Sequence, residues 1–345
     1  MLGARSFLSA SALVVSFALA ACGGGGNNPT GGNGGNGTGA SGHGGNGTGA
    51  TGNGGEGTGA GSSSSSGGGG GPAAKSCPVF PADNWWNTDI SKEPVDPLSD
   101  TYVKSMGDTT PLHPDFGSIY GIPYQYVDSS VTKVPVNFDY ADESDPGPYP
   151  IPANPLIEDG GDAHLLMIQT DECVLYELFA ADHGADGWYA GSGAIWDLKV
   201  NATRPMGWTS ADAAGLPIFP GLARHEEAAT GAINHALRFT ASNSQAAYVA
   251  PASHYASNDT DPSLPPMGLR LRLKASVDIS AAPPQAKIVL TALKKYGMIL
   301  ADNGSDFYVG GAPDLGWDDD DLHWMQQNIH GGDFEAVKTG PLVTD

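Results

Sequence analysis

Residues 23–76 constrain the folded part of this 345-residue chain more than any other feature of the sequence. This segment consists almost entirely of Gly, Asn, Thr, Ser and Ala, and the repeat GGNGTGA occurs in it twice. It has no large apolar side chain, so it cannot bury enough surface to offset the conformational entropy that folding would cost. We therefore expect a disordered linker here and a folded domain that begins at Cys77.

The residues before the linker have a different character. Arg5 is the single charged residue among the first 21, and a mostly apolar run follows it over residues 7–21. This run is too short for a membrane span and is typical of a secretory signal peptide. Cys22 follows Leu-Ala-Ala, which matches a bacterial lipobox; an ordinary signal peptide with a nearby cysteine is the alternative. We predict a signal peptide over 1–21, a lipidated Cys22 that anchors the exported protein to the cell envelope, and a linker over 22–76.

The chain contains three cysteines. Cys22 is predicted to carry lipid, which leaves Cys77 and Cys173 in an exported, oxidising setting where disulfides persist. The chain-entropy model gives up to about 4.7 kcal/mol for closing a loop of roughly 100 residues. We predict that these two cysteines form a disulfide, which ties the start of the domain to an interior strand.

The chain is strongly acidic, with 16 Lys and Arg against 38 Asp and Glu and a formal net charge of −22. Such a charge repels phosphates and anionic lipids, which argues against nucleic acid or a membrane surface as a partner of the domain. Adaptation to a salty medium explains the charge more simply than calcium does. The acidic runs 142–145 and 318–321 nevertheless suit calcium binding or helix capping, so calcium is the one cofactor that we consider.

Short apolar or alternating segments between Pro, Gly, Asn and Asp predict strands over residues 164–169, 173–179, 192–198, 234–240, 246–249, 268–274 and 298–301. Capping residues and helical spacing predict helices over residues 99–106, 210–214, 286–296 and 318–328. The sequence therefore predicts one mainly β domain over 77–345, a jelly-roll-like β-sandwich with a few peripheral helices. An irregular β-barrel or α+β arrangement is the alternative, and the absence of a blade-length repeat argues against a propeller.

Five stretches of the domain carry a resemblance to known proteins: residues 77–90 (CPVFPADNWWNTDI), 140–150 (YADESDPGPYP), 207–217 (GWTSADAAGLP), 235–239 (HALRF) and 295–304 (KYGMILADNG). On these segments the domain resembles a family of secreted bacterial domains for which no activity is known. The resemblance covers the folded part of the chain and implies a genuine domain. It brings no catalytic residue with it.

The sequence lacks the sharper catalytic motifs. It has no Gly-x-Ser-x-Gly elbow, His-Glu-x-x-His, phosphate loop, dinucleotide fingerprint or zinc-type cysteine pair. Their absence argues against serine hydrolases, zinc proteases, nucleotide enzymes and Rossmann dehydrogenases. Candidate sites must therefore come from groups of titratable residues that match no recognised catalytic motif.

The first cluster lies on the predicted hairpin. Asp162 and His164 stand at the start of one strand, at a spacing that places both side chains on one face, and Glu177 lies on the next strand. If the strands pair, the three side chains approach one another and form a general acid/base or metal site. The alternative is a polar network in which Asp162 orients His164.

A second cluster combines two histidines with Arg238 and Tyr255. His235 lies on a predicted strand and His254 on a loop, where functional side chains often occur. Together they suit proton abstraction beside a uronate carboxylate, which is the chemistry of a polysaccharide lyase. The alternative is that each is structural, with His235 a satisfied core histidine.

Two surface features are typical of sugar binding. Arg270, Arg272 and Lys274 alternate with leucines, so they form either a solvated strand face or a groove for an anionic sugar. Trp188 and other aromatic residues lie in turn-rich stretches, where exposed rings stack on pyranoses. Of the seven tryptophans we expect most in the core and one to three exposed.

The sequence thus predicts a monomeric, surface-anchored protein that acts on an extracellular polysaccharide as a glycoside hydrolase or polysaccharide lyase. A glycosidase needs two carboxylates that face each other across the bond, and the sequence alone does not select the pair. The candidates are Asp139, Asp142, Glu143, Asp145, Glu177, Asp197 and Asp302. The alternative is a non-catalytic carbohydrate-binding or adhesion module of the cell envelope. A cleft with converging titratable groups favours the enzyme, and a flat aromatic platform favours the binder.

Overall fold

The computed structural model describes residues 77–344, so the predicted signal peptide, Cys22 and linker lie outside the described residues. The strands of this part are β1 (His113–Asp115), β2 (Tyr124–Val127), β3 (Val136–Phe138), β4 (Leu165–Gln169), β5 (Val174–Phe179), β6 (Asp182–Gly184), β7 (Gly187–Ala190), β8 (Ser192–Asp197), β9 (Leu237–Ala241), β10 (Arg270–Leu273), β11 (Met298–Asn303), β12 (Tyr308–Gly310) and β13 (Phe334–Ala336). The α-helices are α1 (Ser99–Met106), α2 (His225–Ala228), α3 (Pro284–Lys295) and α4 (Asp319–Asn328). The predicted mainly β fold with few helices is confirmed.

These strands form three sheets, and no sheet of residues 77–344 closes into a barrel. The largest has the order β1-β12-β9-β11-β10-β13, the second has β2-β4-β5-β8, and the third has β3-β7-β6. Each sheet is mixed: β9 runs parallel to β11, β2 to β4, and β3 to β7. Parallel neighbours require crossover connections: the connection from β9 to β11 contains β10 and α3, and that from β2 to β4 contains β3.

The hairpin of β4 and β5 is buried on both faces. Leu166 and Leu175 pack into the main hydrophobic core, whereas Leu165 and Leu178 pack into a smaller core beside the three-stranded sheet. A strand that is covered on both sides reads as a continuous apolar run rather than an alternating one. The sequence LLMIQ of β4 has this character, and all five of its residues are buried.

Several predicted elements appear close to their expected positions. The hairpin, the strands after residues 192, 268 and 298, and helices α1, α3 and α4 all form. Two predictions were wrong: residues 246–249 make isolated bridges instead of a strand, and residues 210–214 form turns instead of a helix. The predicted strand over 234–240 begins only at Leu237.

The predicted disulfide between Cys77 and Cys173 is present, and their Cα atoms lie 5.3 Å apart. Cys173 immediately precedes β5, so the bond ties the first described residue to the central hairpin. Within residues 77–344, no helix is long and apolar enough to cross a bilayer.

Arg270 and Arg272 on β10 are buried, and half-buried Lys274 after the strand donates a hydrogen bond of 2.6 Å to the carbonyl of Gly332. Neither a solvated strand face nor an exposed sugar groove therefore forms there. The side chains of Arg270 and Arg272 donate hydrogen bonds to main-chain carbonyls of residues 85–93, including those of Trp85 at 2.7 Å and Ile90 at 2.6 Å. Burial lowers the pKa of Arg270 to about 10. The two arginines therefore fasten the first loop of the domain to the main sheet.

Candidate functional site

One pocket gathers titratable side chains from distant parts of the sequence. Its volume is about 320 Å³, and its wall comes from the 3₁₀ turn Ala141–Glu143, the chain before β4, the end of β5, the end of β11 and two loops, 209–213 and 254–256. Its titratable residues are Tyr140, Glu143, Asp162, Asp212, His254 and Asp302. Larger pockets exist beside α3 and beside Asp115, and a pocket beside α4 also has histidines and aspartates in its wall. The present pocket combines an imidazole with Asp302, a carboxyl group whose pKa is raised to about 8. That combination makes it the candidate site.

A β-bulge in β11 directs Asp302 toward the pocket. Leu300 pairs with Phe239 and Asp302 pairs with Thr240, so Ala301 is an extra residue in the ladder. In a regular strand without the bulge, Asp302 would share the face of Leu300, which is fully buried in the core. The bulge instead places it on the face of β9 that carries Thr240 and Arg238.

The same bulge anchors the loop that contains Asp212. The main-chain N–H of Ala214 donates a hydrogen bond of 2.8 Å to the carbonyl of Ala301. Within the loop, the hydroxyl of Ser210 accepts from the N–H of Asp212 at 2.9 Å. Both bonds hold Asp212 beneath the pocket, beside β9 and β11.

Asp212 forms a bidentate ion pair with Arg238. Nε of Arg238 donates to Oδ2 at 2.8 Å, and its terminal nitrogen donates to Oδ1 at 2.6 Å. The Asp212 side chain has no solvent exposure and that of Arg238 is 6% exposed. The negative charge of Asp212 outweighs burial and raises the pKa of Arg238, so the guanidinium stays charged.

Asp302 is the perturbed acid of the pocket. Burial is the main cause, and the charge of Asp212 adds to it, so the pKa of Asp302 rises to about 8 although Arg238 opposes the shift. A hydrogen bond to Asp212 also favours the protonated form. At neutral pH Asp302 therefore carries a proton that it can donate.

His254 lies in the opposite loop with a defined tautomer. Its Nδ1 is 2.7 Å from the carbonyl oxygen of Ala213, which only accepts, so Nδ1 carries a hydrogen. In the neutral imidazole Nε2 is then the acceptor, and it has no hydrogen-bond partner within residues 77–344. The ring of Tyr255 lies nearly parallel to it, with centroids 6.1 Å apart. Of the second predicted cluster, His254 thus lines the pocket, and the ring of Tyr255 lies beside the His254 ring outside the pocket lining.

The rim of the pocket adds two carboxylates and an aromatic ring. Glu143 is half-buried, and its Oε2 accepts a hydrogen bond of 3.1 Å from the N–H of Thr209. Asp162 is exposed, and so is Tyr140, with 54% of its surface accessible. Glu143, held by a hydrogen bond, exposed Asp162 and the exposed ring of Tyr140 therefore line the same pocket as the protonated Asp302.

The structure separates the members of the first predicted cluster. Asp162 reaches the pocket, but His164 is buried against Glu158 and the carbonyl of Ala211. Glu177 is wholly buried, where it accepts hydrogen bonds from the N–H groups of residues 218 and 219 and the indole of Trp196. No hydrogen bond joins any two of Asp162, His164 and Glu177 among the residues that the structure describes. Glu177 sits on the same strand face as His164, but its carboxylate is satisfied by the chain after β8.

His235 is a satisfied core histidine. Its Nε2 lies 2.9 Å from Glu227, which also binds Arg224, and its Nδ1 lies 2.7 Å from the carbonyl of Ala236. It is not among the residues that line the pocket. Trp188 is half-buried on the small sheet, away from the pocket lining, and none of the seven tryptophans is exposed, contrary to expectation. The exposed aromatic side chains are tyrosines.

The acidic runs serve as structural groups. Asp318 caps α4 by accepting from the N–H groups of Asp320 and Asp321, and Asp145 forms an ion pair of 2.6 Å with Arg204. Over residues 77–344, no three His, Cys, Asp or Glu side chains are arranged to hold a metal ion.

Comparison with family models, with curated proteins and with solved structures finds no match to this chain. The resemblance to secreted bacterial domains therefore stays a prediction. Sequence reasoning named Asp302 among many carboxylates but missed Asp212 and the bulge. The segments 207–217 and 295–304, on which the resemblance rests, contain both residues, and this was the available signal.

Proposed function

We propose that this protein hydrolyses glycosidic bonds in a neutral or amine-bearing extracellular polysaccharide, with Asp302 as general acid and Glu143 as its partner carboxylate. The observation that carries the proposal is a single pocket in which a protonated carboxyl and a hydrogen-bonded carboxylate lie beside an exposed tyrosine ring. Two carboxyl groups held in different environments are the usual equipment of a glycosidase.

Asp302 supplies the acid. Its proton passes to the glycosidic oxygen as the bond from that oxygen to the anomeric carbon breaks, so the leaving sugar departs as a neutral alcohol. Asp212 and Arg238 stay ion-paired beneath it and keep its proton in place through the charge of Asp212. Asp302 is then an ionised carboxylate, which takes up a proton from solvent before the next cycle.

Glu143 supplies the second carboxylate. The N–H of Thr209 fixes its position, whereas Asp162 on the same rim is exposed. A water molecule adds to the anomeric carbon and gives its proton to Glu143, which balances the proton that Asp302 donates. Tyr140 offers a flat ring on which a pyranose stacks at the pocket mouth.

The charges of the pocket favour hydrolysis over uronate elimination. A lyase must neutralise the uronate carboxylate with a cation, but no Lys or Arg lines the pocket. Arg238 is committed to Asp212, and Arg270 and Arg272 are committed to the first loop. A negatively charged pocket repels an anionic sugar and tolerates a neutral or amine-bearing one.

We propose further that the domain works at the cell envelope, exported by the signal peptide and tethered by lipid on Cys22 through the linker. The sequence of residues 1–76 supports this placement. A tethered hydrolase reaches insoluble polysaccharide and retains its products near the cell. The non-catalytic alternative has less support, because a platform of exposed tryptophans is not present in residues 77–344.

The test is a panel of neutral, amino-sugar and uronate polysaccharides, assayed for reducing ends and for the absorbance of unsaturated uronate, with calcium and with chelator. We expect new reducing ends from a neutral or amino-sugar polymer, and a loss of at least about 100-fold in Asp302→Asn. Asp186→Asn, an exposed aspartate in the turn before β7, is the matched control and keeps full activity. Unsaturated products, or binding to a polymer without cleavage, would overturn the proposal.

A further inference from the structure

Buried His164 and half-buried Glu158 form a pair behind the candidate pocket, and the mechanism above does not use it. His164 is 3% exposed, and its Nδ1 is 2.5 Å from Oε2 of Glu158. Its Nε2 is 3.2 Å from the carbonyl oxygen of Ala211. Both ring nitrogens thus face oxygen atoms that accept hydrogen bonds.

We propose that His164 is a positioning residue, which Glu158 holds as a buried imidazolium. The Nε2–H of His164 donates to the carbonyl of Ala211 and thereby fixes the wall of the pocket. A neutral imidazole has one N–H and satisfies only one of two acceptors, whereas an imidazolium satisfies both. Since the role of this wall in catalysis rests on the proposed hydrolase, the inference deepens that proposal.

The charges around His164 agree with an ion pair. Burial alone would lower the pKa of His164, but the hydrogen bond and charge of Glu158 outweigh it and raise this pKa above its usual value. The pKa of Glu158 is lowered, because His164 outweighs the effect of burial. The other charged groups that face His164 are Asp212, which favours the cation, and Arg238, which opposes it.

The segment that His164 holds carries much of the pocket. Ala211 directly precedes Asp212, which is bound to Arg238, and the carbonyl of Ala213 receives the N–H of His254. Fixing the Ala211 carbonyl therefore restrains two groups of the site through the main chain. When His164 loses its proton, one of its two acceptors loses its donor and the segment is released.

Glu158→Gln separates the charge from the hydrogen bond. A glutamine still bonds to the imidazole but no longer stabilises the imidazolium, so the pKa of His164 falls. Asp159→Asn removes the same charge from the neighbouring, exposed position and is the matched control.

The primary measurement is the ¹⁵N spectrum of the histidine side chains in the labelled full chain, followed against pH. We expect both nitrogens of His164 to be protonated near neutral pH, with a midpoint above about 6.5. In Glu158→Gln the midpoint falls and the resonances of His254 shift, and Asp159→Asn changes neither. A neutral His164 in the unaltered protein, or a midpoint that Glu158→Gln leaves in place, would overturn the inference whether or not any polysaccharide is cleaved.

A kinetic readout tests the positioning role on a substrate that the panel identifies. We expect kcat of Glu158→Gln to fall about 10- to 100-fold at neutral pH, and the alkaline limb of its pH profile to move to lower pH. If Glu158→Gln keeps the thermal stability of the unaltered protein and the alkaline limb of its pH profile does not move, the positioning role of His164 is wrong. If no polysaccharide is cleaved, the proposed hydrolase fails, but the spectra still decide the state of His164.

Discussion

Arg238 and Asp212 lie 26 residues apart in the sequence and meet in a bidentate ion pair beneath the pocket, with nitrogen to oxygen distances of 2.6 and 2.8 Å. Both side chains are almost wholly buried. Removing a charge from such a pair leaves the partner uncompensated in a medium that solvates it poorly. The pair therefore contributes to the stability of the loop after residue 207, and its two charges act in opposite directions on the pKa of Asp302.

Arg238→Met is expected to lower the free energy of unfolding by about 3–5 kcal/mol at neutral pH, because Asp212 stays buried without a cation. Adding Asp212→Asn to the variant recovers part of the stability, because the buried carboxylate is then removed together with its cation. Urea unfolding at neutral pH measures both differences. Lys199→Met breaks a surface pair of 3.7 Å and should cost less than about 1 kcal/mol; an equal cost for both variants would contradict the argument.

Glu177, which is wholly buried, and Asp302, which is half-buried, make stability depend on pH. Burial raises the pKa of Glu177 to about 7 and that of Asp302 to about 8, so the folded state binds these protons more tightly than the unfolded chain. Their contribution to stability is fully present below the pKa that these carboxyl groups have in the unfolded chain. It is lost as the pH rises through about 7 for Glu177 and about 8 for Asp302. We expect urea midpoints of Glu177→Gln to fall less between about pH 5 and 7 than those of the unaltered protein. Glu172→Gln, at an exposed position, should reproduce the original slope.

The sequence predicted the elements whose patterns are local. The continuous apolar run of β4 and the capping aspartates of α4 need no distant partner to be recognised, and both elements form. Arg270 and Arg272 were misjudged because their partners are carbonyl groups about 180 residues away, which no local pattern shows. From the local sequence alone, a buried arginine on a strand cannot be distinguished from an arginine that faces solvent.

The candidate site was harder to predict because its geometry depends on a register change. The pairing of β11 with β9 shifts at Ala301, and only this shift places Asp302 on the face that carries Arg238. An alternating pattern assigns Asp302 to the opposite face. His254 could be named as a loop histidine, but the carbonyl that fixes its tautomer belongs to a loop 41 residues earlier.

The disulfide should contribute strongly to stability, because it joins the first described residue to the central hairpin. Replacing Cys77 and Cys173 by serine is expected to lower the free energy of unfolding by about 2–5 kcal/mol. Urea unfolding with and without a reductant measures the effect: the reductant destabilises the unaltered protein and leaves the double variant unchanged. Equal stability of the two oxidised proteins would show that the bond adds nothing to the packing of the hairpin.

Two glycines of the loop that carries Asp212 differ in what a side chain would meet. Both have positive φ, +81° at Gly207 and +69° at Gly215. A Cβ at Gly207 has nothing within 4 Å, whereas one at Gly215 lies 2.5 Å from the carbonyl of Trp208 and clashes with Ser253. Gly207→Ala thus carries only the backbone strain of about 1–2 kcal/mol.

Gly215→Ala carries that strain and also forces the loop away from Ser253, which precedes His254. We expect it to be less stable than Gly207→Ala by more than about 1 kcal/mol in urea unfolding. Because the displaced segment lines the pocket, Gly215→Ala should also shift the ¹⁵N resonances of the His254 ring, and Gly207→Ala should leave them in place. If the two variants matched in both measurements, the close approach at Gly215 would have no influence on the pocket.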